Sequence, residues 1–336
     1  MTELNKIALQ ILSDGKGILA ADESNGTMTK RLEAVKVPSN SENRLLFRET
    51  LLTSSAMKDC IGGVILFDET INQITSLKKS IPELILNTGT VPGIKVDTGA
   101  KALANSSEET VTEGLDGLRQ RLSSYYKLGA RFTKWRGVYK ITKDYPSKLS
   151  IYSNAHALAR YSALAQESGM VPIVEPEVLM DGDHSAEDCF KKTSEVIKKC
   201  FEELILHKID LTGIILKPNM ILSGSQCKNK ITGEEISINT LRCLKESVPS
   251  EVPGVAFLSG GQSEIEATEN LNLINKNNNT NFIMTYSYGR ALQQSALKHW
   301  SKNIKDTEGT QNVFNHRAKM CTLAAQGKWS KEIENR

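Results

Sequence analysis

The chain has 336 residues, 39% hydrophobic and 24% charged, a composition that buries a large core and excludes a disordered or fibrous protein. Its formal net charge is +3, too small to hold nucleic acid or an anionic membrane by bulk charge, so any positive potential that matters is local. The N-terminal MTELNKIALQ lacks an apolar signal core, no run approaches the roughly 18 apolar residues of a membrane span, and the six cysteines form no C-x-x-C pair, all of which predicts a cytoplasmic protein with reduced thiols.

Eight short apolar or β-branched runs recur along the chain. They are Gly17–Asp22, Ile61–Phe67, Val91–Asp97, Arg131–Arg136, Met170–Pro176, Thr212–Pro218, Gly254–Gly260 and Phe282–Gly289. Between them lie segments with apolar residues at three- and four-residue intervals, such as Ser153–Ser168 and Glu187–Leu206, which predict helices. Eight βα units predict a (β/α)8 TIM barrel, an α/β fold, as one domain over residues 1–336 with an N-terminal helical segment and a short C-terminal tail. No Gly-x-Gly-x-x-Gly follows any run, which argues against a dinucleotide fold. Lys228–Glu235 and Asn275–Asn281 read as polar loops, and Gly327–Arg336 as a frayed end.

Each run begins apolar and ends in something reactive. The ends carry Asp22, Lys95 with Asp97, Lys134 with Arg136, Glu175 with Glu177, Lys217, Ser259, and Ser287 followed by Arg290. Residues two apart on a strand share a face, and barrel active sites lie at the C-terminal strand ends. Lys217 is the most informative, because it closes the apolar run Gly213–Leu216. Desolvation there favours a neutral amine, and Lys134 offers a like charge that adds to the effect; a neutral amine attacks a ketone to form a Schiff base.

The remaining rim residues sort by charge. Ser24, Thr27, Lys95, Lys134, Arg136, Ser259, Ser287 and Arg290 make an anion-binding set. Gly260, Gly261 and Gly289 let backbone N–H groups approach a phosphate, with Gly289 opening a helical run over Arg290–Trp300. Asp22, Glu175 and Glu177 supply acid and base. These residue types lead to a lysine-dependent lyase acting on a bisphosphorylated carbonyl compound. A Schiff-base enzyme with one phosphate site, and a non-catalytic scaffold binding through its basic rim, stay open as alternatives. The five histidines, His156, His184, His207, His299 and His316, are not paired at metal-ligand spacing, and Asp181–His184 reads as a solvated loop. The expectation is no metal and no cofactor.

Eight segments carry a closer likeness: LAADES (19–24), GTMTKR (26–31), GIKVDTG (93–99), FTKWR (132–136), VPIVEPEVL (171–179), ILKPNM (215–220), FLSGGQSE (257–264) and SYGRAL (287–292). On these the chain resembles the class I fructose-1,6-bisphosphate aldolases of glycolysis along nearly its whole length. The resemblance implies that Lys217 carries the Schiff base, Glu175 moves protons during carbinolamine dehydration, Asp22 assists carbon–carbon cleavage and Lys134 supports the intermediates, with Glu177 and Arg136 as supporting partners. It places phosphate and sugar contacts at Ser24, Thr27, Arg31, Lys95, Ser259, Gly260, Gly261, Ser287, Gly289 and Arg290. It implies a homotetramer, and a secondary binding role toward cytoskeletal or adhesin tails could coexist with catalysis. Two departures stand out. Thr27 replaces the family's usual serine and keeps the hydroxyl. The family's tyrosine-ended tail has no counterpart before Arg336: either the tail has been cut away or the enzyme works without it, and without it the expectation is that cleavage persists while proton exchange at the dihydroxyacetone phosphate carbanion is slow.

Overall fold

The computed structural model describes residues 1–335. Ten strands form: β1 (Gly17–Ala21), β2 (Ile61–Leu66), β3 (Val91–Lys95), β4 (Gly99–Ala102), β5 (Thr110–Glu113), β6 (Phe132–Tyr139), β7 (Val171–Val178), β8 (Ile215–Leu216), β9 (Gly254–Phe257) and β10 (Ile283–Tyr288). Eight of them close a barrel in the order β1-β10-β9-β8-β7-β6-β3-β2, every pair parallel. The predicted (β/α)8 barrel is therefore the fold. No helix among the described residues is long and apolar enough to cross a membrane.

The alternation of side chains explains how the barrel is filled and where its chemistry must fall. A compact apolar cluster inside it draws Ile18 and Ala20 from β1, Ile65 from β2, Val91 from β3, Phe132 from β6, Val171 and Ile173 from β7, Ile215 from β8 and Ala256 from β9. Ala8, Ile11 and Leu12 of the helix Glu3–Leu12 belong to the same cluster and stop the barrel's N-terminal end. Burying each such aliphatic or aromatic side chain is worth roughly 1.5–3 kcal/mol. Counting by twos from these inward positions, and from Ile283 of β10 packed against them, leads to Asp22, Lys95, Lys134, Arg136, Glu175, Glu177, Lys217 and Ser287. The interior face is thus apolar at one end of the strands and ionic at the other.

The other face packs against the helices. Trp135 and Tyr139 point outward from β6 and are buried, with Trp135 stacked on Tyr161 of the helix Lys148–Glu167 at 5.5 Å between ring centroids. Strong local signals set the helix starts: Ser185, Thr232 and Ser263 each form a capping box with the acid three residues on.

The sequence expectations are corrected in four places. Strand β8 is only two residues long, so Lys217 lies just beyond the ladder, although its N–H still bonds Val174 O at 2.8 Å. An antiparallel hairpin, β4–β5, follows β3 and had no signal, because its strands are largely polar. The loop expected at Lys228–Glu235 ends early, since Thr232 caps a helix over Gly233–Ser247. The end expected to fray is docked: Trp329 is buried, its Nε1 donates to Glu334 at 2.7 Å, and Glu334 takes a two-pronged ion pair from Arg317. An indole and a buried guanidinium supply the anchoring that the tail's polar composition conceals. Arg336 lies outside the described residues.

Candidate active site

A cavity of about 600 Å³ opens at the C-terminal ends of the strands, within the range of small-molecule sites. All sixteen residues expected at the site line it: Asp22, Ser24, Thr27, Arg31, Lys95, Lys134, Arg136, Glu175, Glu177, Lys217, Ser259, Gly260, Gly261, Ser287, Gly289 and Arg290. The barrel register accounts for the convergence. Lys134 sits level with Lys95 on one side, while Arg136 is level with Glu175 on the other.

At the floor, charges alternate. Lys217 is buried and its Nζ lies 3.1 Å from Glu175 Oε1. The other oxygen of Glu175 faces Lys134 Nζ at 3.1 Å, and the same ammonium lies 2.8 Å from Asp22 Oδ2. The contact with Glu175 Oε2 is out of line for a hydrogen bond, so it is a charge contact and leaves that oxygen able to accept another proton donor.

This arrangement fixes protonation states. Burial pushes the carboxyl of Asp22 upward, but Lys134, Lys217 and Lys95 outweigh it and hold the group well below the usual carboxylate range. Glu175 is likewise lowered, because Lys134, Lys217 and Arg136 together overcome its burial. Burial would depress Lys134, yet Asp22, Glu175 and Asp97 raise it above the ordinary lysine value. Lys134 is therefore a permanent cation between two carboxylates. Its charge is balanced by them, so it offers Lys217 less repulsion than the sequence reading expected.

The walls suit oxyanions. Ser24 caps the helix Asn25–Ala34, accepting from Thr27 N at 3.3 Å, and its hydroxyl is 3.1 Å from that of Thr27. Arg31 binds Glu23 through one terminal nitrogen, while its Nε and other terminal nitrogen are buried without partners. Across the mouth, Gly260 and Gly261 adopt left-handed backbone, φ 56° and 83°. Gly289 starts the helix Arg290–Trp300 with no side-chain cap, leaving its first N–H groups for a ligand. The hydroxyl of Ser287 beside it is buried and unpartnered. Arg136 pairs with Glu177 at the cavity edge.

Sequence reasoning passed over several lining residues. Glu23 sits between Asp22 and Ser24, binds Arg31, and accepts from Arg48 Nη2 on its backbone oxygen at 2.9 Å; it hid inside LAADES because nothing local distinguishes it from a capping neighbour. Lys30 adds a cation, and Asp97, whose Oδ2 is buried and unpartnered, adds an acid that burial pushes upward. Asp97 was visible as a strand-end acid paired by spacing with Lys95 but received no role. His184, expected in a solvated loop, is buried and lies outside this cavity.

Comparison with known proteins gives the family. The profile of the family "Fructose-bisphosphate aldolase class-I" matches residues 3–336. A "Probable fructose-bisphosphate aldolase class 1" of Xanthomonas campestris pv. campestris is 47% identical over 97% of this chain and 98% of its own length. "Fructose-bisphosphate aldolase C" of Carassius auratus is 48% identical over 97% of this chain and 91% of its own. In structure, fructose-bisphosphate aldolase from Plasmodium falciparum, solved in complex with TRAP and a small-molecule inhibitor, superimposes with a TM-score of 0.96 at 42% identity, covering 98% of this chain and 95% of that one. The chain belongs to the class I fructose-bisphosphate aldolases, lyases that reversibly cleave fructose 1,6-bisphosphate to dihydroxyacetone phosphate and glyceraldehyde 3-phosphate through a lysine Schiff base.

Proposed function

We propose that Lys217 is the Schiff-base lysine of this reaction, with Glu175, Lys134 and Asp22 as its proton-transfer and charge-balancing partners. One observation carries the reading: a buried lysine 3.1 Å from a buried glutamate, itself 3.1 Å from a second lysine that holds an aspartate at 2.8 Å. Glu175 first takes a proton from the Lys217 ammonium 3.1 Å away; the freed amine adds to the C2 ketone, a proton passes from nitrogen to oxygen to give the carbinolamine, and Glu175 returns its proton to the departing hydroxyl as water leaves and the iminium forms. Asp22 then takes the C4 hydroxyl proton; the C3–C4 bond breaks, its electrons pass into the iminium to give an enamine, and the aldehyde departs. Protonation at C3 and hydrolysis of the iminium release dihydroxyacetone phosphate and restore the amine. Lys134 keeps Asp22 and Glu175 ionised between these transfers. Ser259, Gly260, Gly261, Ser287, Gly289 and Arg290 receive one phosphate, and Ser24, Thr27, Arg31 and Lys95 the sugar and the second. Glu177 and Arg136 brace one another beside them.

Borohydride reduction in the presence of dihydroxyacetone phosphate tests the assignment. One reduced adduct per chain is expected on the peptide containing Lys217, and none in Lys217→Met. Equal labelling of that variant removes Lys217 from the role. Comparing fructose 1,6-bisphosphate with fructose 1-phosphate decides whether both phosphate sets are used.

A second role is favoured by the Plasmodium falciparum aldolase complex with TRAP. We propose that the basic cavity rim, Lys30, Arg31, Lys95, Arg136 and Arg290, also accepts an acidic adhesin or cytoskeletal tail. Binding of a labelled acidic tail peptide should be competed by fructose 1,6-bisphosphate; binding indifferent to the sugar would refute a shared rim. We further infer a cytoplasmic homotetramer, for which sedimentation at assay concentration is the measurement.

A further inference from the structure

We propose that His156, Glu203 and His207 form a binding site for one divalent transition-metal ion of the zinc type, on the helical layer outside the barrel. His156 is 47 residues from Glu203 in sequence, and the fold brings the two together. Glu203 and His207 are four residues apart, Glu203 in the helix Ala186–Leu206 and His207 at its C-terminal cap, so both face the same way. His156 reaches them from the helix Lys148–Glu167. One possible ligand atom from each lies within 4.8 Å of the other two, and none of the three lines the sugar-phosphate cavity.

The pairwise geometry fits chelation. His156 Nδ1 is 3.2 Å from Glu203 Oε2. Tetrahedral sites with bonds of about 2.0–2.2 Å put neighbouring donors about 3.4 Å apart, so this edge is already in place. The two imidazole rings meet edge to face at 5.1 Å, and His156, with about half its side chain exposed, has room to rotate toward the third donor. His207 Nδ1 lies 2.8 Å from the backbone oxygen of Glu203. The same nitrogen lies 4.0 Å from Glu203 Oε2, so it faces the carboxylate oxygen that His156 also approaches, and a small turn away from the carbonyl makes it the third ligand.

Glu203 is held in a similar way. Its Oε1 takes Lys199 at 3.2 Å, leaving Oε2 to the histidines, and Lys199 in turn sits over the Tyr152 ring. Two imidazoles and one carboxylate suit zinc, copper or nickel and leave a fourth position for water; magnesium and calcium prefer all-oxygen shells. The ion would tie together the two helices that flank β7, the strand carrying Glu175 and Glu177. Its effect is on stability, by binding only the folded chain.

The test uses the full chain freed of metal, in a Cys227→Ser background so that the half-buried Cys227 thiol cannot compete. Zn²⁺ is titrated against a chromophoric chelator, Co²⁺ is added for its visible tetrahedral absorption, and melting is followed with each ion and with Mg²⁺. One equivalent of Zn²⁺, a Co²⁺ band and a rise in Tm are expected. His156→Asn, Glu203→Gln and His207→Asn should each weaken Zn²⁺ binding about 10–100-fold and remove the band, while sugar cleavage stays at the parent rate and certifies the fold. Absence of Zn²⁺ binding, binding untouched by the three substitutions, or an equal response to Mg²⁺ would overturn the site.

Discussion

Lys134 and Asp22 meet at 2.8 Å from strands that are not neighbours in the barrel, so their ion pair spans the barrel mouth. The pair has a specific consequence. Asp22 is kept ionised, ready to accept a proton whenever a hydroxyl is presented to it. Asp22→Asn keeps the shape and deletes the acceptor. Loss of a positioned base typically lowers turnover about 10²–10⁴-fold. That drop is expected for fructose 1,6-bisphosphate cleavage, while borohydride still traps dihydroxyacetone phosphate on Lys217. Unchanged cleavage would remove Asp22 from the step.

The pH dependence follows from the same charges. Asp22 and Glu175 have folded pKa values below their unfolded ones. Their contribution is therefore fully present above the unfolded carboxylate range, about pH 4–4.5, and is lost only as pH falls through the lower folded values. Lys134, raised in the fold, contributes below the unfolded lysine value and loses that contribution only as pH rises through a still higher folded one. Lys134→Met removes the cation on which both carboxylates depend most. Burial then dominates, their pKa values rise, and acid destabilisation should begin at higher pH than in the parent chain. Melting curves from about pH 3 to pH 8 measure the onset; an unshifted onset would show that Lys217, Lys95 and Arg136 suffice.

How the site could be read from residues alone is now clear. Period-two alternation continues from buried Ile18, Phe132, Val171 and Ile215 to Asp22, Lys134, Glu175 and Lys217, so one rule fixes both the core and the rim. What alternation cannot give is partnership between strands. That Lys134 bridges Asp22 and Glu175 depends on barrel closure, and that Glu23 takes Arg48 as well as its near neighbour Arg31 depends on the separate helix Ser41–Leu52. The hairpin β4–β5 and the docked Trp329 were hidden for a related reason. Their segments are polar, and their order comes from partners elsewhere, such as Asn154 with Thr112 and Asn272 with Trp329. The approach of His156 to Glu203 and His207 stayed hidden because spacing rules see one helix at a time.

The Gly260–Gly261 turn predicts a change confined to phosphate binding. Gly261 has φ 83°, and a methyl group there would stand 2.9 Å from Met180 Sδ. Left-handed backbone costs a residue with a Cβ roughly 1–2 kcal/mol, and Met180 must also move. Gly261→Ala should raise KM for the bisphosphate with a smaller loss in kcat, because the floor residues are untouched. Ser287→Ala removes one buried hydroxyl and leaves the turn intact, so its effect on KM should be smaller. A larger loss in kcat than in affinity for Gly261→Ala would mean the turn positions the reacting carbons as well.

Arg48 links stability to the site without entering the cavity. It is essentially inaccessible, donates to Thr70 Oγ1 at 2.6 Å and to Glu23 O at 2.9 Å, and lies 3.6 Å from Glu23 Oε2. Burial lowers its pKa, with Glu23, Glu69 and Asp22 opposing. Removing one member of a buried charge pair typically costs about 3–5 kcal/mol, because the other is left without compensation. Arg48→Ala should reach that range in denaturant unfolding. Arg48→Lys should recover part of the charge but not the fork that engages Thr70 and Glu23 together. Because Glu23 sits between Asp22 and Ser24 and also holds Arg31, both variants should raise KM before they unfold the chain. A variant destabilised to this extent with unaltered KM would show that Arg48 supports the fold alone, and that Glu23 keeps its place through Arg31.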